Sequence, residues 1–229
     1  MAALAVFGML WLLTTIDGVV GHIGWSVVLL SLAVKLLMAP LTKLADRLQA
    51  SVNRTQALLQ PQLAEIRRHY RGEEAHERTL GVYRDHGVSP LYTLKSLVGF
   101  LIQIPVFIAA FDMLGENIAL DGAAFGWIED LARPDHWLTL PVVLPFFGGH
   151  LNLLPLLMTG ITLLTSRLQT DPHLTPELLR AQRLRLYLMA VAFFLLFYTF
   201  PAGMVLYWTT NNALHLVRIL LRPPGRGSR

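Results

Sequence analysis

GWSVVLLSLAVKLLMAPLTK, residues 24–43, decides the fold of this chain. It is an apolar run of membrane-crossing length with one charge, Lys35, set inside it. A charged side chain at the bilayer centre costs about 2.5–3.5 kcal/mol on insertion scales, so a helix that keeps one usually turns it toward a water-filled cavity or a partner. Ser31 lies one helical turn earlier and therefore on the same face. Snorkelling is the competing reading of Lys35. Pro40 follows after about 7.5 Å of helix rise, and a lysine stem reaches part of the way to the cytoplasmic interface.

The rest of the chain has the same character. Of its 229 residues, 54% are hydrophobic and 15% charged, too apolar for an ordinary soluble domain. The charges sit in blocks between long apolar runs. Four further runs read as spans, at about 96–114, 151–168, 184–200 and 204–221, after a first span at about 23–41 that Pro40 and Lys43 end. Phe200-Pro201-Ala202-Gly203 reads as a tight turn between the last two. The apolar stretch 2–16 is short for a crossing and lacks the charge and cleavage pattern of a signal peptide, so residues 1–22 are expected to form an interfacial helix. Residues 137–147, broken by Pro141 and Pro145, are expected in an outer loop that dips toward the membrane.

Basic residues fix the orientation. Residues 42–95 hold nine, residues 169–185 three, the tail from Arg218 four, and residues 1–22 none. Residues 115–150 hold one, beside five acids. Five spans with the N-terminus outside and the C-terminus in the cytoplasm put each basic segment inside. Leu44, Leu48, Val52, Leu59, Leu63 and Ile66 recur at helical spacing, with Pro61 as a kink or restart. A weaker helix over 73–86, closed by Gly87, completes a cytoplasmic helical hairpin over 42–95. The core is thus expected over 23–222, with a short basic tail at 223–229.

Other polar groups lie inside apolar runs. Gln103 precedes Pro105; its alternatives are a wetted position or a helix–helix contact. Tyr207, Asn211 and His215 recur every four residues, with Trp208 and Asn212 beside them. A wetted face, an aromatic belt and interhelical hydrogen bonding are all open readings of that group. Catalytic signatures for zinc hydrolysis, serine nucleophiles, nucleotide or dinucleotide binding are missing, and the eight histidines have no metal-ligand spacing. No enzyme, cofactor or metal is expected. A small-solute transporter or channel using Lys35 as a counter-charge is the competing class.

With these residues in view, the chain resembles the YidC/Oxa/Alb family of membrane protein insertases. The likeness rests on six ordered segments: 24–43, LLQPQLAEIRRHY, GVSPLYTLKSLVGFLIQIPVFIAAFDML, FGWIEDLARPD, LNLLPLLMTGITLLTSRL and FPAGMVLYWTTNNAL. Ser89 stands where asparagine is usual, Trp208 where tyrosine is common, and Lys35 where many members have arginine. The resemblance implies an all-α polytopic membrane protein with five helices around a hydrophilic groove, open to the cytoplasm and to lipid. It implies a compact member lacking the family's large outer domain. By the same resemblance Lys35 attracts the polar segment of a client, Ser31, Gln103, Tyr207, Trp208 and Asn212 line the groove, and Trp127 belongs to the outer loop. The implied partners are nascent membrane proteins and the lipid bilayer, with the Sec translocon and the ribosome as further candidates and no direct contact with nucleic acid. The implied location is the bacterial inner membrane.

Overall fold

The computed structural model of the protein describes residues 2–169 and 174–221. They form α1 (Ala2–Val20), α2 (Ile23–His69), α3 (Gly72–Asp85), α4 (Leu97–Gly115), β1 (Leu138–Leu144), β2 (Gly148–Leu151), α5 (Leu153–Leu168), α6 (Pro176–Phe197) and α7 (Ala202–Leu220). The expected tail at 223–229 lies outside the described residues. Two stretches, Ile23–His69 and Tyr92–Gly115, are long and apolar enough to cross a membrane; Leu4–Val20 and Leu153–Leu168 are shorter apolar helices.

The chain divides into two compact units. One comprises Met1–Met38, Pro105–Thr170 and Arg183–Arg229; the other comprises Ala39–Ile104 and Asp171–Gln182. The first unit has one apolar core, to which α1 gives Met9 and Leu13, α2 gives Val27, Leu30 and Val34, α4 gives Ala109 and Met113, α5 gives Leu154 and Met158, α6 gives Phe197 and α7 gives Val205 and Tyr207. The N-terminal helix, Ala2–Val20, falls within the residues 1–22 expected for it and docks on this core through a stripe at helical spacing, while Leu4, Phe7 and Trp11 on its other faces stay exposed. Gly21 turns the chain into α2 at φ 67°, a backbone conformation that glycine adopts without steric cost, and the Ser26 hydroxyl donates to Asp17 Oδ1 at 2.9 Å across that turn.

Pro40 ends no helix and Pro61, expected as a kink or a restart, restarts none; both sit inside α2, which runs for 47 residues, about 70 Å. Each proline removes one N–H and frees one carbonyl of the preceding turn, but the helix on either side is long enough to continue. A hydrocarbon layer of about 30 Å can hold less than half of such a helix. The limit of the apolar part is set by the charges from Lys43 onward, and not by a helix end.

In the second unit Val52 and Leu59 of α2 and Tyr92 form a small core, with Leu63 of α2, Val82 and Tyr83 of α3 and Val88 packed against it. The end of α3 is a complete Schellman turn. Val88 N donates to Tyr83 O at 2.8 Å and Gly87 N to Arg84 O at 3.0 Å, with Gly87 at φ 61°. Arg78 lies over the Tyr70 ring at 3.9 Å and pairs with Glu74. Gln103 belongs to this unit, and its side chain is exposed.

Two stretches depart from the expected all-helical picture. Residues 137–147 supply strand β1, which pairs antiparallel with β2 through Leu138–Leu151, Thr139–His150 and Leu144–Gly148. A short 3₁₀ turn, Tyr92–Ser96, leads into α4.

The glycines of α3 separate two effects. Gly87→Val places a β-branched residue in the left-handed region and should cost about 1–2 kcal/mol. Gly81 is inside the helix with open space around it, so Gly81→Ala should stabilise by up to about 1 kcal/mol. Amide deuterium exchange across α3 should therefore quicken in the first variant and slow in the second.

Candidate functional site

Two hydrogen bonds join α2 to α7. The Ser31 hydroxyl lies 3.0 Å from Tyr207 O and 3.2 Å from Val27 O, so its one proton is shared between a neighbouring helix and its own preceding turn. One turn further, Lys35 Nζ donates to Asn211 O at 2.7 Å. Both contacts join residues 176 apart in sequence. A constant offset means that the two helices run parallel, since antiparallel helices would give a constant sum instead. Ser31 is fully buried, and its small side chain lets the two backbones approach.

Lys35 is half-buried and its partner is a carbonyl, so the contact satisfies one of three N–H donors and cancels no charge. Among the described residues no carboxylate forms an ion pair with it. Arg218, on the same helix as Asn211, adds to the positive potential there.

The remaining residues singled out on α7 point in different directions. Tyr207 is 2% exposed and its hydroxyl finds no hydrogen-bond partner of good geometry. Its ring borders a cavity of about 10 Å³, room for one water, lined otherwise by aromatic and aliphatic groups including Phe107, Phe111 and Trp208. Trp208 packs edge-on to Phe107 at 5.1 Å and face to face with Phe197 at 5.8 Å. Asn212 Nδ2 donates to Thr162 Oγ1 on α5 at 3.1 Å. The sequence grouping of Tyr207, Trp208, Asn211 and Asn212 as one polar face is thus divided. The carbonyls of 207 and 211 meet α2, Trp208 joins an aromatic cluster, and Asn212 meets α5.

The loop between α4 and α5 builds the other half of the site by satisfying helix N-termini. Asp135, buried, accepts at Oδ2 from Leu153 N at 2.8 Å, Leu154 N at 2.9 Å and Trp127 Nε1 at 3.1 Å. Those are the first two donors of α5, and the third position is Pro155, which has none. The first donors of α7 are met by the same loop, Ala202 N on Arg133 O at 2.7 Å and Gly203 N on Leu131 O at 2.8 Å. A Cβ on Gly203 would lie 3.1 Å from Leu120 Cδ1 and 3.2 Å from Leu131 O, so a larger residue would press this seal apart. Asn152 donates to Tyr198 O at 2.6 Å and accepts from His136 N at 3.2 Å, and the Tyr198 hydroxyl donates to His150 O at 3.1 Å. Sequence reading marked Trp127 but missed Asp135, Asn152 and Tyr198. Asn152, a favoured residue before a helix start, with Pro155 in the first turn, was the available signal.

The rings of His136 and His150 stack at 4.1 Å, 22° from parallel. Desolvation holds the pKa of His136 below its ordinary value of 6.5; His150 and Arg133 lower it further, and Asp135 and Glu129 oppose them.

The chain is thus mostly helical, with two stretches long and apolar enough to cross a membrane and a part-buried cation on the first of them. Residues 15–222 match the family model described as 60Kd inner membrane protein, and the chain belongs to that family. It is 35% identical over 211 residues to a membrane protein insertase YidC of Ralstonia nicotianae, covering 91% of this chain and 34% of that one. The corresponding protein of Janthinobacterium sp. is 32% identical over 210 residues, covering 91% and 35%. The chain thus spans about a third of the length of these relatives. In fold it is similar to the crystal structure of an active YidC insertase with its first transmembrane domain resolved, at a TM-score of 0.61 and 22% identity, covering 95% of this chain and 46% of that one.

Asp135→Ala strands three donors, two of them at a helix start, and should destabilise the protein by about 3 kcal/mol. Arg133→Ala removes only an exposed pair with Asp130 and should cost less than about 1 kcal/mol. Thermal unfolding in detergent compares the two. The lowered pKa of His136 has its own consequence. The folded state binds fewer protons than the unfolded state just below pH 6.5, so stability should fall as pH drops through that value and level off below the native pKa. His150→Asn should flatten this slope in unfolding curves recorded against pH.

Proposed function

We propose that the chain acts as a membrane protein insertase and chaperone, receiving the polar segment of a client in a hydrophilic groove centred on Lys35 and releasing the client's transmembrane helix sideways into lipid. The observation that carries this reading is the part-buried ammonium group held by a backbone carbonyl and, among the described residues, by no acid. The family match and the likeness to membrane protein insertases support the same reading. Trp208 and Asn212 would border the client's path, Trp208 through an apolar aromatic surface, while the buried Ser31 and Tyr207 would fix the helix pair behind them; the exposed Gln103 is a further proposed client contact.

The proposed arrangement has five crossings in the bacterial inner membrane: about 23–41, 96–114, 151–168, 184–200 and 204–221. The N-terminus is outside, α1 lies at the outer interface, and the hairpin over 42–95 and the C-terminus are cytoplasmic. The parallel course of α2 and α7 supports this, because an odd number of crossings must separate parallel spans and α4, α5 and α6 supply three. Clients would be newly made membrane proteins, and the Sec translocon and ribosome are proposed partners. No cofactor, metal or nucleotide is invoked. Burial of the client's apolar helix drives the process at about 25 cal/mol per Å² of surface removed from water, and the membrane potential adds about 2.3 kcal/mol per 100 mV for each client charge moved across it.

The charge of Lys35 is the testable term. A client carboxylate at about 8 Å in an effective dielectric of about 20 gains about 2 kcal/mol, and reversing the sign at residue 35 shifts this by about 4 kcal/mol. Lys35→Glu should therefore reduce insertion of a client with an acidic outer segment by more than about tenfold. Lys35→Arg should retain insertion, and a client with a neutral segment should respond least. Protease-protected client in proteoliposomes is the measurement. Equal insertion by Lys35→Glu and the parent would refute the role of the charge.

A further inference from the structure

The β1–β2 hairpin takes no part in the proposed groove. Residues 137–149, WLTLPVVLPFFGG, carry no charge. Trp137, Leu138, Val142, Val143, Leu144 and Phe146 are all exposed, Val143 at 76%. A contiguous apolar surface of this kind marks an interaction site.

The packing at its base indicates what covers it. Phe147 sits edge-on to Tyr198 at 4.7 Å and against Phe194 of α6 at 6.1 Å. From there α6 continues the same apolar exposure through Leu188, Val191 and Leu195. The hairpin therefore extends the surface that α6 would present to lipid.

Backbone chemistry sets the depth. A two-stranded sheet has two open edges, each a row of unpaired N–H and C=O groups. The ladder is also interrupted between Thr139 and Leu144. Hydrocarbon cannot satisfy such groups, so the backbone must stay among headgroups and water while side chains reach inward. Pro141 and Pro145 each lack a donor and ease this placement.

We propose that the hairpin is a lipid wedge. Its backbone lies at headgroup level in the outer leaflet, and Val142, Val143 and Phe146 enter the top of the acyl region with Trp137 at the interface. Its partner is the apolar boundary of the bilayer and not a particular headgroup, because the segment has no charge with which to select one. The inference requires membrane residence and is independent of insertase activity.

The chain has no cysteine, so V143C and F146C can each carry a single environment-sensitive fluorophore. L36C, at an exposed position inside the first apolar stretch, is the control. The proteins are reconstituted sparsely into phosphatidylcholine vesicles, with and without phosphatidylglycerol, containing lipids with a nitroxide near the headgroup or near the chain end. Both hairpin labels should show blue-shifted emission that the shallow nitroxide quenches more than the deep one, equally in both lipid mixtures. Water-like, unquenched emission at the hairpin with L36C quenched overturns the wedge and leaves membrane residence standing. Loss of quenching at L36C as well overturns both. Stronger quenching by the deep nitroxide overturns the assigned depth, and quenching that disappears on raising the protein-to-lipid ratio assigns the surface to a second copy instead.

Discussion

A pair of hydrogen bonds to backbone carbonyls, Ser31 to Tyr207 and Lys35 to Asn211, sets the register of the two helices on which the site depends. Carbonyls inside a helix already accept from the next turn, and their second lone pair is what the two side chains use. This makes the contact insensitive to the side chains at 207 and 211 but sensitive to helix spacing. A bulky residue at 31 would push α7 away and remove the acceptor from Lys35. The serine and the lysine therefore act as one device: the first holds the distance at which the second finds its partner.

At the loop-capped end the constraint is different. Every helix start exposes donors that hydrocarbon cannot satisfy. The loop between α4 and α5 meets those of α5 with one carboxylate and those of α7 with two carbonyls. The carboxylate is suited to α5 because a helix N-terminus favours negative charge. Trp127 donates to the same oxygen and ties the loop to itself. The result is an end whose integrity rests on a few fixed hydrogen bonds, in a unit whose Lys35 pairs with no acid among the described residues.

Much of this was legible in the sequence. Apolar run length gave the helices, and the i, i+4 relation put Ser31 and Lys35 on one face. Gly87 was read as a helix cap and is one. What sequence could not give were contacts in which the partner is backbone, since Asn211 contributes its carbonyl and any residue could stand there. The same holds for Arg133 O and Leu131 O. Proline misled in the opposite direction at Pro40: it breaks isolated helices, yet the long flanks of α2 carry it. The stretch 137–147 has no helical period, and its β pairing depends on His150 and Leu151, which lie outside it.

The choice of a carbonyl partner for Lys35 has an energetic logic. Placing a lysine at mid-bilayer costs about 2.5–3.5 kcal/mol, and a charged hydrogen bond returns about 1.5–3 kcal/mol. The two nearly cancel, so the ammonium is held in place without being neutralised. A carboxylate partner would hold it more firmly and cancel its field. Position matters as much as charge. Lys35 lies about 18 Å of helix rise beyond the start of α2 at Ile23. In the proposed orientation, with the outer end sealed, that leaves about 12 Å of a 30 Å barrier between the cation and the cytoplasm. A client's polar segment would then have less than half the membrane to enter before meeting an opposite charge. The seal at the far end would keep that entry from becoming a continuous pore.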